Sequence, residues 1–274
     1  MGQRFVLRGR TALVTGAASG IGAALSLALA ERGCALALAD RDAEGLVQTA
    51  QTARAAGVAV SEHVLDLTDR AALLALPEAV RARHGGLQLL INNAGVALGG
   101  RFEETDPADI DWLMEVNLHA VMRLTHACLP LLRAAPQAQI VNLSSLFGII
   151  APAGQAAYAA SKFAVRGFTE ALRHECEGTG LGVTLVHPGG VATAIARNAR
   201  RPRALDPGEA AAGLAAFERL LTLRPETAAA AILRGIETRA PRVVIGSDAR
   251  RAVLIQRLMP VRYWSLIRRA LRDT

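Results

Sequence analysis

In the stretch YAASK, Tyr158 stands one helical turn before Lys162, the single lysine among 31 basic residues, all the others being arginine. An ammonium is a compact point charge with three donors and a guanidinium is a planar fork, so the two do not substitute for each other at a crowded site. A phenol and an ammonium at i and i+4 make an exposed helix pair at the least. They also make proton-transfer chemistry possible: a free tyrosine has a pKa of about 10, too high for a base near neutrality, and nearby positive charge favours the phenolate. Such chemistry also needs a hydroxyl to hold the substrate oxygen, and LSS offers two, Ser144 and Ser145.

A second constellation lies near the start. The run TGAASGIG, Thr15 to Gly22, passes from an apolar stretch straight into a helical one. Glycines there allow a tight turn and close approach of a pyrophosphate to the backbone, while the helix N-terminus presents free amides and a positive dipole end. The next apolar run ends in Asp40, placed to accept hydrogen bonds from a ribose diol and to repel a 2′-phosphate. Arg41 keeps a phosphorylated dinucleotide open, but Ser19, just before Gly20, adds no second positive charge. NAD is therefore expected ahead of NADP.

These residues need a scaffold that gathers distant segments. Short apolar runs (TALVTG, ALALAD, VAVSEHVLDL, LQLLINNAG, AQIVNLSS, GVTLVHPGG, PRVVIG) alternate with helical stretches. That order predicts an α/β, doubly wound parallel sheet covered on both faces, with ligands beyond the carboxyl ends of the strands. No repeat, linker or internal boundary interrupts it. The expected division is a single domain over residues 1–249, with a substrate-covering segment at 194–225, followed by a basic extension at 250–274.

Composition narrows the partners. With 51% hydrophobic residues the chain can bury a sizeable core. The net charge of +7 is concentrated in RNARRPR and after Arg239, with few aromatic residues interleaved, so nucleic acid is not an expected partner. No apolar run is long enough to span a bilayer and no secretory leader opens the chain. Cys34, Cys128 and Cys176 suit reduced packing thiols in a cytoplasmic protein. No metal site is expected.

Taken together, TGAASGIG, NNAG (Asn92 to Gly95), Asn117 in EVNLHA, the serines of IVNLSS, YAASK and HPGG resemble, in order and spacing, the short-chain dehydrogenase/reductase family over roughly residues 8–195 and the late strand. The resemblance implies a Rossmann-type fold and an alcohol dehydrogenase or carbonyl reductase. The dinucleotide would lie against Gly16, Ser19, Gly20, Ile21, Gly22, Asp40 and Arg41. Asp66 and Leu67 would lie near the adenine, Asn93, Ala94 and Gly95 along the ribose, and Pro188, Gly189, Val191 and Thr193 toward the carboxamide. It further implies Tyr158 as acid/base, Lys162 tuning it and holding the nicotinamide ribose, and Ser145, chosen by its spacing to Tyr158, holding the substrate oxygen. Ser144 is left to pack or touch cofactor. Asn117 reads blandly as a satisfied buried amide; the resemblance instead implies that it disturbs its helix and relays protons through a water to Lys162.

Two departures, Gln88 before LLINNAG and His187 before Pro188, are expected to leave the chemistry untouched. The covering segment suits an apolar small-molecule substrate. Arg197, Arg200, Arg201 and Arg203 there are either a solvated charge run or a greeting for a carboxylate or phosphate. After PRVVIG, Leu254, Ile255 and Leu258 share one helical face, as do Val261, Trp264, Ile267 and Leu271. Packing of these faces on the body or on a partner subunit, in a dimer or tetramer, is preferred over peripheral contact with an anionic membrane. Two functions besides catalysis fit the same residues: a catalytically silent NAD-binding regulator and a membrane-associated scaffold.

Overall fold

The computed structural model describes residues 4–202 and 207–272. Seven strands form one parallel sheet: β1 (Thr11–Thr15), β2 (Ala35–Asp40), β3 (Val60–Val64), β4 (Leu89–Asn92), β5 (Ala138–Leu143), β6 (Leu181–Pro188) and β7 (Arg242–Ile245). Their order is β3-β2-β1-β4-β5-β6-β7. The chain winds outward from β1 to β3, then returns to lay β4 on the other side of β1, in register Val14 with Ile91. At such a reversal a doubly wound sheet offers its ligand crevice beyond the carboxyl ends of the strands. Every residue of β1, β4 and β5 is buried, which explains their near-continuous apolar text.

Helices cover both faces. On one side α1 (Gly20–Glu31), α2 (Ala43–Arg54) and a late helix at Pro225–Glu237 close over Leu25, Leu29, Leu36, Leu38, Ile232 and Ile236. On the other, α3 (Arg70–His84), α5 (Ala120–Ala134) and α6 (Ala156–Glu175) enclose Leu73, Leu90, Leu124, Cys128 and Ile140. Asp42 and Asp69 start α2 and α3 by accepting first-turn amides, and Gly85, at φ 77°, ends α3. The three cysteines are buried, consistent with a packing role.

Between α4 (Pro107–Met114) and α5 the helix widens into a π turn at Glu115–His119, with Asn117 at its centre. The local disturbance expected of Asn117 is present. Beyond β6 lie α7 (Pro207–Glu218) and α8 (Pro225–Glu237); after β7, α9 (Ser247–Leu258) and α10 (Tyr263–Arg272) complete the chain. Among the described residues no helix is long and apolar enough to cross a membrane.

Candidate active site

The rim of the sheet gathers the two constellations. After β1 the backbone turns through Gly16 (φ 68°) and Gly20 (φ 56°) into α1. A Cβ on Gly22 would stand 1.9 Å from the Gly16 carbonyl oxygen, so only glycine lets the helix start so close to the turn. Asn93, just past β4, fastens this turn: its Nδ2 donates to Thr15 O (2.9 Å) and Gly16 O (3.1 Å). The amides of Asn93 and Ala94 in turn donate to Thr15 Oγ1 at 3.1 and 3.2 Å. Asn93 thus shapes the cradle with its amide hydrogens, and only its Oδ1 is left for a ligand.

Asp40 is fixed as firmly. Its Oδ2 accepts from Ala18 N (2.9 Å) and its Oδ1 from Asp42 N (3.1 Å), which holds the carboxylate against the glycine turn. Arg41 is exposed and its charge falls on Asp66, whose carboxyl is held below its ordinary range, first by the Thr68 amide. Leu67 is half-buried beside it, and Ser19 precedes α1 with its hydroxyl unused as a cap. From across the crevice the Thr193 methyl comes so near that a Cβ on Gly20 would touch it at 3.0 Å. A glycine cradle that a Cβ would fill, the α1 N-terminus and a fixed acid at the end of β2 fit a dinucleotide.

The second constellation assembles at the end of β5. Ser145 accepts from Phe147 N at 3.1 Å and so caps a short turn at Leu146–Gly148. Its neighbour Ser144 points inward and donates to the Lys162 carbonyl at 2.8 Å, a packing role. On α6, Tyr158, Ser161 and Lys162 are buried. Asn117 is fully buried: its Oδ1 accepts from Val96 N (2.8 Å), and its Nδ2 donates to Val96 O (3.0 Å) and Ser161 Oγ (3.1 Å). Gly95 lies between Lys162 Nζ and Asn117 Oδ1, which an added Cβ would meet at 3.2 and 3.3 Å.

Burial sets the electrostatics of the pair. Burial pushes the Tyr158 phenol up to about 12, and a hydrogen bond with the Ser145 side chain offsets only part of that rise. Burial likewise pulls Lys162 down to about 8. Lys162 Nζ donates to Leu143 O at 3.2 Å and stands 5.8 Å from the centre of the Tyr158 ring. The ammonium is tied to the end of β5, and desolvation is the larger influence of the chain on the phenol.

The two departures and the arginines of the covering segment all have definite partners. His187 is fully buried, and its Nδ1 donates to the Ser145 carbonyl at 2.8 Å, leaving Nε2 without a partner among the described residues. Its position behind the serine is set by β5–β6 pairing, which no local spacing reveals. Gln88 accepts from Thr11 N at 2.9 Å and joins β4 to β1, a structural task. The arginines of the covering segment are engaged: Arg197 with Glu218 (3.5 Å), Arg200 with Asp109 (2.7 Å), and Arg201 with Ala196 O (3.3 Å). Arg200 also lies 3.7 Å over the Trp112 ring. Arg203 lies outside the described residues.

The tail reaches the site as well. Asp248, in the first turn of α9, accepts from Gly190 N at 2.9 Å, and a Cβ on Gly189 would overlap its carboxylate. Tyr263 Oη accepts from Ala151 N at 2.9 Å, on the loop between Ser145 and Tyr158. Neither contact has a sequence signal. The expected inner face is only partly right: Ala249 and Ala252 are the residues of α9 that pack on the body, while Trp264 and Ile267 are half-buried and Val261 is 90% exposed. The Leu271 side chain lies outside those described.

A profile of the short chain dehydrogenases matches residues 10–204. The chain is 43% identical over 263 residues, 94% of each chain, to a candidate oxidoreductase, SadH, of Mycobacterium tuberculosis. It is 31% identical to ketoacyl reductase HetN of a Nostoc species over 88% of this chain and 80% of that one. A short-chain dehydrogenase/reductase of Burkholderia phymatum, solved in complex with NAD, superposes with a TM-score of 0.86 at 30% identity, covering 93% of this chain and 95% of that one. A metagenomic short-chain oxidoreductase solved with NADP gives a TM-score of 0.71 at 32% identity, over 88% of this chain and 98% of that one. The chain belongs to the short-chain dehydrogenase/reductase family of oxidoreductases.

Proposed function

We propose that the protein interconverts an apolar secondary alcohol and the corresponding ketone, or an alcohol and an aldehyde, using NAD in preference to NADP. The observation that carries this reading is the assembly of Ser145 at the end of β5 with buried Tyr158 and Lys162, one turn apart on α6, at the carboxyl rim of the sheet beside the glycine turn. The glycine turn and Asp40 would hold a nicotinamide dinucleotide, which would supply or take up the hydride. Tyr158 Oη gives its proton to the substrate oxygen in reduction and takes it back in oxidation. The Ser145 hydroxyl hydrogen-bonds the same oxygen and so fixes it within reach of the phenol. Lys162 and Asn117, which both face Gly95, are assigned to returning the proton from solvent.

Substrate polarity is argued from the walls. Tyr158 meets the Phe147 ring edge-on with centroids 6.1 Å apart, Phe147 lies 6.5 Å from Phe217, and Val96, Leu98, Ile110 and Trp112 pack in the same cluster. Arg197, Arg200 and Arg201 already have partners, which favours a neutral substrate over a carboxylate or phosphate. The NAD preference rests on the fixed Asp40 carboxylate and on Arg41 facing Asp66. The test is NAD reduction across secondary alcohols from short to long-chain and steroid-like. Turnover should grow with apolar bulk; dinucleotide binding without turnover of any alcohol or ketone would favour a silent regulator.

A further inference from the structure

Between Ala249 and Arg272 the sequence places seven arginines and no acid. Arg250, Arg251, Arg257, Arg262, Arg268 and Arg269 are all exposed, and none forms an ion pair among the described residues. While Ile255, Trp264 and Ile267 are half-buried, other large apolar side chains of the tail are not hidden. Leu254 is 57% exposed, Leu258 71%, Val261 90% and Leu266 42%, while Ala249 and Ala252 occupy the buried side of α9. Within α9, Leu254 and Leu258 are one helical turn apart on a single face, with Arg250 and Arg257 on the same row, and Val261 follows in the turn between α9 and α10.

We propose that this outer face of α9 and α10 docks the protein on an anionic lipid bilayer, with Leu254, Leu258, Val261 and Leu266 in the interface and the arginines among the headgroups. A surface that alternates aliphatic side chains with unpaired guanidinium groups matches such an interface in both chemistries. A second copy matches it poorly, because a two-fold contact would set the same unneutralised arginines against each other. Nucleic acid would satisfy the arginines and leave the exposed leucines unsatisfied. The tail is fixed to the site through Asp248 on Gly190 and Tyr263 on Ala151. Docking therefore holds the crevice mouth close to the lipid, the phase in which the apolar substrate of the proposed reaction dissolves. Only this last step rests on that reading.

The test is co-sedimentation of the full chain with phosphatidylcholine vesicles and with vesicles containing about one-third phosphatidylglycerol, at low salt and at about 0.5 M salt. Binding should require the anionic lipid and weaken with salt. The double variant L258D/V261D should lower partitioning at least about tenfold, and R250Q/R257Q/R262Q should remove the preference for anionic lipid. Both should keep the wild-type melting temperature and NAD affinity, which shows that they fold. Failure to pellet at low salt, or pelleting unchanged by the aspartates, overturns the proposal. A fall in solution mass of L258D/V261D would show a second copy on this face instead. None of these readouts uses turnover, so failure here is separate from failure of the enzymatic reading.

Discussion

The two halves of the crevice use their side chains in opposite ways. Around the glycine turn, side chains first serve the backbone: Asn93, Thr15 and Asp40 spend polar atoms on main-chain groups, and a ligand is offered mainly the amides of α1 with the carboxylate of Asp40 at the edge. Around Ser145 the backbone serves side chains. The Leu143 carbonyl aims Lys162, and the Phe147 amide holds the Ser145 hydroxyl. His187 props the Ser145 main chain from behind. A surface of amides binds, and a cluster of aimed side chains reacts. Substitutions should therefore separate cleanly, with loss of affinity in the first half and loss of turnover in the second.

The largest effect is expected in the reacting half. Tyr158→Phe removes one hydroxyl from a buried ring and should lower kcat about a thousandfold while NAD affinity, measured by calorimetry, stays within about threefold. A variant keeping more than about a tenth of wild-type rate would remove Tyr158 from the proton transfer. In the binding half, Gly22→Ala places a Cβ 1.9 Å from backbone, where no side chain can yield. It should raise the NAD dissociation constant at least about a hundredfold and lower Tm, since relief requires α1 to move away from the turn. If Gly22→Ala bound NAD normally and lost only turnover, the contrast between the halves would fail.

A finer test of the binding half concerns which dinucleotide it accepts. Asp40→Ala removes a carboxylate that suits a ribose diol and repels a 2′-phosphate. The ratio of kcat/KM for NAD over NADP should fall about tenfold or more, a change worth about 1.4 kcal/mol or above. The ratio matters because Asp40 also braces Ala18 and Asp42, so both efficiencies will drop as the turn loosens. A wild-type ratio favouring NADP would assign Arg41 the leading role.

The contrast also explains what could be read from the sequence. The glycine turn, Asp40 and the run of apolar strands are local patterns, and the fold follows from them. Tyr158 and Lys162 are local too, one turn apart on α6. The direction of the Lys162 ammonium is not, because it depends on Leu143, a strand away. The same holds for His187, whose partner Ser145 is distant in sequence but adjacent across β5 and β6. Gly189 gives no hint of Asp248, and the tail's periodicity names its faces without saying which one turns inward. Spacing within an element was legible; pairing between elements was not.

The smallest effect concerns the residue that spacing could not interpret. His187 is buried, and its pKa falls from 6.5 to about 4, chiefly through burial and against the favourable Ser145 carbonyl. The unfolded chain takes up a proton below pH 6.5, while the folded one does so only near pH 4, so stability contributed above 6.5 is lost as pH falls through that window. The full span corresponds to at most about 3 to 4 kcal/mol. Other groups titrate in the same range, so the informative quantity is the difference between wild type and His187→Asn, which cannot take up that proton. In urea unfolding the wild type should lead at about pH 7.5 and lose much of that lead by about pH 4.5. A lead that stays constant would mean that the imidazole is not held neutral by its burial. Turnover of His187→Asn near neutrality should fall by about tenfold at most, because Ser145 O keeps its bond from Gly148 N and the asparagine amide retains a donor.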